Sequence, residues 1–185
     1  MNANNQLYTI SVYTENFTGM LQRVTTIFTR RKLNIDSITC SESEIKGIHR
    51  YTIVVKTNSA MAENLVKQLE KQVDVLRACS HNEDEVVFQE IALYKVSNRG
   101  LNANQIETIV HEHNARILTF CKDFIVVEKT GNKEETQKLY EEFQIFGLLE
   151  FVRSGRVAIT KPLTKLTNEL KQLERNYRSF KRHVA

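Results

Sequence analysis

The chain has 185 residues, 41% of them hydrophobic and 26% charged, with one proline, no tryptophan and a formal net charge of +4. That profile fits an ordinary globular protein of one domain or two small ones and excludes a disordered or fibrous chain. No run approaches the roughly 18 uncharged apolar residues of a membrane-spanning helix, and Met1-Asn-Ala-Asn-Asn-Gln has neither the basic nor the apolar stretch of an export signal, so a cytoplasmic protein with no membrane contact is expected.

Leu7–Val12 alternates Leu7, Thr9 and Ser11 against Tyr8, Ile10 and Val12, the pattern of a strand with one apolar face. After Asn16-Phe-Thr-Gly19 the period changes. Met20, Leu21, Val24, Ile27 and Phe28 fall on one face of a helix. Ile35–Ser41 and His49–Lys56 read as strands joined by a turn near Lys46-Gly47, the second rich in β-branched residues. Ala62, Leu65, Val66 and Leu69 make a second helical stripe, with Asn58 or Ser59 placed to cap it, and Val73–Cys79 closes the set as a strand.

The order β-α-β-β-α-β then repeats. Val86–Val96 is a strand; Ile106, Ile109, Val110 and His113 give a helical face; Ala115–Cys121 and Phe124–Lys129 are strands around Lys122-Asp123. Leu139, Phe143 and Phe146 mark another helix before strand-like Leu148–Val152. The expected class is therefore α+β: two tandem ferredoxin-like βαββαβ domains, residues 1–82 and 83–160, followed by a helical tail over 161–185. Such a unit orders its sheet 4-1-3-2, which puts Cys40 and Cys79 on opposite edges, about 14 Å apart and beyond disulfide reach. With Cys121 they make an odd, sparse set, read as free thiols of a reducing compartment.

In the tail, Pro162 can start a helix, and Leu163, Leu166, Leu170, Leu173, Tyr177, Phe180 and Val184 recur in an unbroken a/d pattern. Lys161, Lys165, Lys171, Arg175, Arg178, Lys181 and Arg182 against Glu169 and Glu174 hold the positive excess, leaving the body nearly neutral. The seam would pack on another helix, of a twin tail or of a partner protein, or else fold back on its own domain.

Catalytic chemistry is hard to find. The chain has no phosphate-cradling glycine loop, C-x-x-C or H-E-x-x-H. His111 and His113 are two apart, so a helix turns them to different faces, and Glu83-Asp84-Glu85 reads as a solvated linker, leaving no metal site expected. An RNA-binding use of such sheets needs a Lys/Arg-Gly-aromatic run on the surface, which is missing, and no nucleic-acid partner is expected.

What stands out is Asn16-Phe17-Thr18-Gly19 leading into a helix. Unpaired amides and partial positive charge at a helix start can hold a carboxylate, and a residue without Cβ lets a ligand approach the backbone. From these four residues alone, a plain strand-to-helix turn capped by Asn16 or Thr18 is the simpler account.

The run Tyr8-Thr-Ile-Ser-Val-Tyr-Thr-Glu-Asn16-Phe-Thr-Gly19-Met-Leu-Gln-Arg23-Val, followed by Arg30-Arg-Lys-Leu-Asn34-Ile35-Asp-Ser37-Ile, resembles an ACT domain of the kind found in regulatory small subunits of acetolactate synthase. Arg50-Tyr-Thr-Ile-Val-Val55, Gln68-Leu-Glu-Lys-Gln-Val73-Asp74-Val-Leu-Arg77, Glu90-Ile-Ala-Leu-Tyr-Lys95 and Val152-Arg153-Ser154-Gly155 fit the same family in the same order. The resemblance implies a non-catalytic subunit without a cofactor of its own, thiamine diphosphate, magnesium and FAD belonging to the catalytic partner. It implies a homodimer through ACT domains that raises the activity of the catalytic large subunit and makes it sensitive to valine or a related branched-chain amino acid. The implied effector site comprises Asn16, Gly19 and Met20 of one protomer with Asn34 and Ile35 of the other. The alternative is a free-standing ACT module regulating another enzyme. Lys32 stands where the family usually has glycine, which would cost on the order of 1 kcal/mol in a left-handed conformation.

Overall fold

A computed structural model of the chain describes residues 5–98, 103–161, 171, 172 and 175. Among these, the residues up to Val87 and those from Ala158 on form one compact unit, and Phe88–Val157 forms the second.

The first unit runs β1 (Gln6–Glu15), α1 (Met20–Thr29), β2 (Ile35–Glu42), β3 (Ile48–Thr57), α2 (Ser59–Leu69) and β4 (Val75–Asn82). Its antiparallel sheet is ordered β2-β3-β1-β4, the ferredoxin-like arrangement that the sequence implies. Tyr8, Ile10 and Val12 of β1, Tyr51, Ile53 and Val55 of β3, and the inward stripes of α1 and α2 close one core. Burial of each large apolar side chain there contributes about 1.5–3 kcal/mol. The α1 stripe is narrower than its spacing suggests: Met20, Val24, Ile27 and Phe28 are buried, whereas Leu21 is 51% exposed.

The second row of β1 is buried as well. Thr9, Ser11 and Tyr13 are each about 1% exposed, so the expected one-sided alternation gives a strand covered on both faces. Tyr13 packs with Ile45, Ile48 and Leu76, and the Arg50 guanidinium lies 5.6 Å from its ring centre. The sheet's helix-free face thus mixes buried Thr9, Ser11 and Thr52 with apolar Tyr13, Ile48 and Val54. Strand β4 starts at Val75, since Val73 is 97% exposed and the Val75 amide closes a turn onto the Gln72 carbonyl at 3.1 Å.

Glu83–Glu85 is one turn of 3-10 helix, closed by a reciprocal pair of bonds between Asn82 and Glu85. The expected solvated linker therefore has its own cap. The second unit follows: β5 (Val86–Ser97), α3 (Ala103–Glu112), β6 (Arg116–Phe120), β7 (Phe124–Gly131), α4 (Lys133–Ile145) and β8 (Leu148–Arg153), with sheet order β6-β7-β5-β8. This repeats the first order strand for strand. Its core gathers Ala92, Tyr94, Val96, Ile125, Val127, Leu139 and Phe143, and the buried Tyr94 hydroxyl donates to the Thr136 carbonyl at 2.6 Å.

An additional strand, β9 (Val157–Thr160), pairs with β5 and was not expected from the sequence. The cysteines are free, with Cys40 on the β2 edge and Cys79 on the β4 edge of the first sheet. His113 lies one residue beyond α3, its Nε2 2.6 Å from Glu142 Oε2. Of the tail expected over 161–185, nearly all lies outside the described residues; Lys171, Gln172 and Arg175 are helical and exposed. No helix among the described residues is long and apolar enough to cross a membrane.

Candidate functional site

The segment joining β1 to α1 is held by its backbone. Asn16 N–H donates to the Gly47 carbonyl at 3.3 Å, Phe17 N–H to the Glu15 carbonyl at 3.2 Å, and Met20 N–H to the Phe17 carbonyl at 3.3 Å. Residues 16–19 are all exposed. Helix α1 begins at Met20 with Gly19 as its N-cap, at φ 87°, and no side chain caps it. That differs from a plain turn capped by Asn16 or Thr18. The helix start keeps its partial positive charge uncompensated, since no acidic residue stands in its first turn. No heavy atom lies within 4 Å of where a Cβ on Gly19 would stand. A left-handed glycine, open space and uncapped amides together suit a small carboxylate.

Met20 brings no side chain to this segment, and its amide is taken by the Phe17 carbonyl. Its side chain is 1% exposed and belongs to the core. Gly47 has a larger part than its sequence position shows, because its carbonyl anchors Asn16; the Lys46-Gly47 pair signals only a turn.

The other half of the implied site starts at the end of α1. Lys32 has φ 55°, so this non-glycine residue does occupy the left-handed region. Leu33 N–H then returns to the Phe28 carbonyl at 3.1 Å, closing the helix. Asn34 is exposed, while Ile35 is half-buried and packs against the core.

Topology separates the two halves. Both β1 and β2 run antiparallel to β3 and so parallel to each other; Glu15 pairs with Ile48 and Ile35 with Val55. At ~3.3 Å per residue the two ends of β3 that they mark are roughly 23 Å apart. Asn16 and Gly19 therefore lie at one end of the sheet, Asn34 and Ile35 at the other. A single copy of the chain does not bring them together.

The second unit keeps parts of this geometry. Asn98 N–H donates to the Asp123 carbonyl at 3.1 Å as Asn16 does to Gly47, and Asn114, at φ 48°, repeats the left-handed turn of Lys32. Where the first unit has Asn34, the second has Arg116, bonded through Nε to Glu128 Oε2 at 3.0 Å. A surface cavity of about 360 Å³ in that unit is lined by Tyr140, Gln144, Leu149, Glu150 and Phe151 among others, none of them a sequence-predicted site residue.

No group of three or more His, Cys, Asp or Glu among the described residues is placed to hold a metal ion. The perturbed groups near the first sheet answer to burial. Burial pushes the Tyr51 hydroxyl up to about 12, with help from its bond to Cys40, and lowers His81 below the usual histidine range despite Glu85.

Residues 10–77 match the family model described as the AHAS small subunit-like ACT domain, and residues 89–162 the model described as the small subunit of acetolactate synthase. The chain is 34% identical over 153 residues to the acetolactate synthase small subunit of Bacillus subtilis, covering 82% of this chain and 89% of that protein. It is 33% identical to the probable acetolactate synthase small subunit of Methanothermobacter thermautotrophicus, over 82% of this chain and 91% of that one. The crystal structure of the acetolactate synthase small subunit from Thermotoga maritima superposes with a TM-score of 0.79 at 27% identity, covering 86% of this chain and 99% of that one.

Proposed function

Since the chain belongs to the family of acetolactate synthase small subunits, we propose that it is a non-catalytic regulatory subunit that docks on the catalytic large subunit, raises its activity and subjects it to feedback inhibition by valine or a related branched-chain amino acid. The single observation that supports this reading most is the separation of the two half-sites within one copy, combined with the open, uncapped start of α1.

Two copies remove the separation. If β2, an edge strand, pairs antiparallel with β2 of a second copy, the start of one β2 meets the end of the other. Asn34 and Ile35 of one protomer then lie at the same end of the continuous sheet as Asn16 and Gly19 of the second. Joining the β4 edges instead would leave two further strands between the halves. The amides after Gly19 hold the α-carboxylate, the Asn16 and Asn34 side chains bind the zwitterion's polar groups, and Ile35 lines the wall against the branched side chain. Enclosing that side chain contributes about 1.5–3 kcal/mol. Feedback follows only where the amino acid binds the activated and inhibited states with different affinity.

Titration calorimetry with valine, leucine and isoleucine, alongside co-purification with an acetolactate synthase catalytic subunit, tests the proposal. Saturable heat for at least one of the three and a stable complex are expected. No uptake of any of them by a chain that forms the complex would remove the effector role, and capture of a different enzyme would favour the free-standing module.

A further inference from the structure

Arg50 is not part of the effector site, yet it is the group on the helix-free face of the first sheet whose bonds reach furthest along the chain. Its Nη2 donates to the Ala158 carbonyl at 2.6 Å, across 108 residues, and to the Ser11 hydroxyl at 3.3 Å. The guanidinium lies against the Tyr13 ring, and Nε is buried without a hydrogen-bond partner. Among the described residues no carboxylate pairs with this cation.

A half-buried charge whose partners are neutral oxygens and a ring is a poor stabilising device, because an apolar side chain of similar volume serves stability as well or better. Its value lies in where it holds the chain. Ala158 is in β9, directly after Val157, the last residue of the second unit. Arg50 is in β3, three residues after Gly47, whose carbonyl anchors the amide of Asn16. The effector segment, the start of β3, the guanidinium and β9 thus form one chain of hydrogen bonds and strand. The first three, and β9 from Ala158 on, are in the first unit.

We infer that Arg50 is the positioning residue through which occupancy of the Asn16–Gly19 seat is felt by β9. The inference rests on the effector role proposed above. A ligand drawn onto the amides after Gly19 pulls on Asn16 and, through Gly47, on the start of β3. Arg50 moves with β3 and either keeps or releases the Ala158 carbonyl. The bonded and released arrangements are the two states between which an effector can discriminate.

The test separates binding from response. Arg50→Met removes the donors at similar length, and Arg50→Lys keeps the charge with a single terminal donor group. Both are compared with the unmodified chain in calorimetric titration with valine, and in valine inhibition of the complex with the catalytic subunit. In Arg50→Met, affinity for valine stays within about threefold while half-inhibition moves to at least about tenfold higher valine, within the usual span of coupling factors. Arg50→Lys falls between the two, and it alone decides the matter if Arg50→Met does not fold. An unchanged inhibition curve overturns the inference, and so does a loss of affinity in step with the loss of inhibition, which would make Arg50 a structural support of the seat. If the unmodified chain takes up no valine, the effector role itself falls, a result distinguishable from either.

Discussion

At Gly19 the backbone turns through φ 87° with empty space on the side where a Cβ would point. Gly19→Asp therefore fits sterically, at a backbone cost of about 1–2 kcal/mol. It sets a carboxylate of its own over the amides meant for the effector. We expect the variant to fold and to activate the catalytic subunit while giving no calorimetric heat with valine; a normal valine isotherm would place the seat elsewhere. Lys32 is the converse case, a side chain where the backbone favours glycine. Lys32→Gly relieves about 1–2 kcal/mol of strain against about 0.5–1 kcal/mol of added unfolded-state freedom, so the urea midpoint should rise by the equivalent of about 0.5–1 kcal/mol. The left-handed turn at Lys32 was legible only through the family pattern, since nothing in the residues Arg31-Lys-Leu-Asn34 themselves announces it. Gly19 was legible because glycine between a strand pattern and a helix pattern has few other uses. Arg50 was not, because its partners Ser11 and Ala158 are distant in sequence and accept through a hydroxyl and a backbone carbonyl, groups that leave no pattern.

Among the elements, the helix starts divide into capped and uncapped. Asn58 accepts from the Met61 amide at 2.9 Å, and Asn132 and Glu135 close a reciprocal pair at the start of α4, whereas α1 has no such bond. Asn132→Ala should lower stability by about 1 kcal/mol in urea unfolding without changing inhibition by valine. On β4, His81 faces Thr9 of β1, with Glu85 4.0 Å from its Nδ1 and Arg50 opposing its charge. Burial holds it below its ordinary value of 6.5, so the unfolded chain takes up this proton first. Its contribution to stability is present above about pH 6.5 and is lost as pH falls towards the depressed folded value. His81→Gln should flatten the thermal midpoint's dependence on pH below that point; an unchanged slope would assign the dependence to other groups. Elements with clear period or caps, such as α2 and β3, were readable from the chain. Strand β9 leaves no sequence signal because four residues with only Ala158 buried are too short for a period. The pattern of β1 looks one-sided because Thr9 and Ser11 are polar residues on a covered face.

For the molecule as a whole, the duplication was readable in the order of elements and not in the residues: Asn16 and Asn98 share a backbone bond, while Asn34 and Arg116 do not share a chemistry. That the half-sites lie at opposite ends of the sheet follows from the 4-1-3-2 order the sequence implies, whereas the length between them depends on the register of β1 and β2 on β3, which no residue pattern announces. Two equivalent seats per pair of chains follow from the two-fold arrangement proposed here. We expect sedimentation of a dimer and a calorimetric stoichiometry of two valines per dimer; a monomer that binds valine with full affinity would exclude a shared seat. A consequence concerns abundance. On this arrangement an isolated chain is blind to its amino acid, so the number of working detectors grows with the square of scarce protein, and dilution alone would silence feedback before any residue is altered.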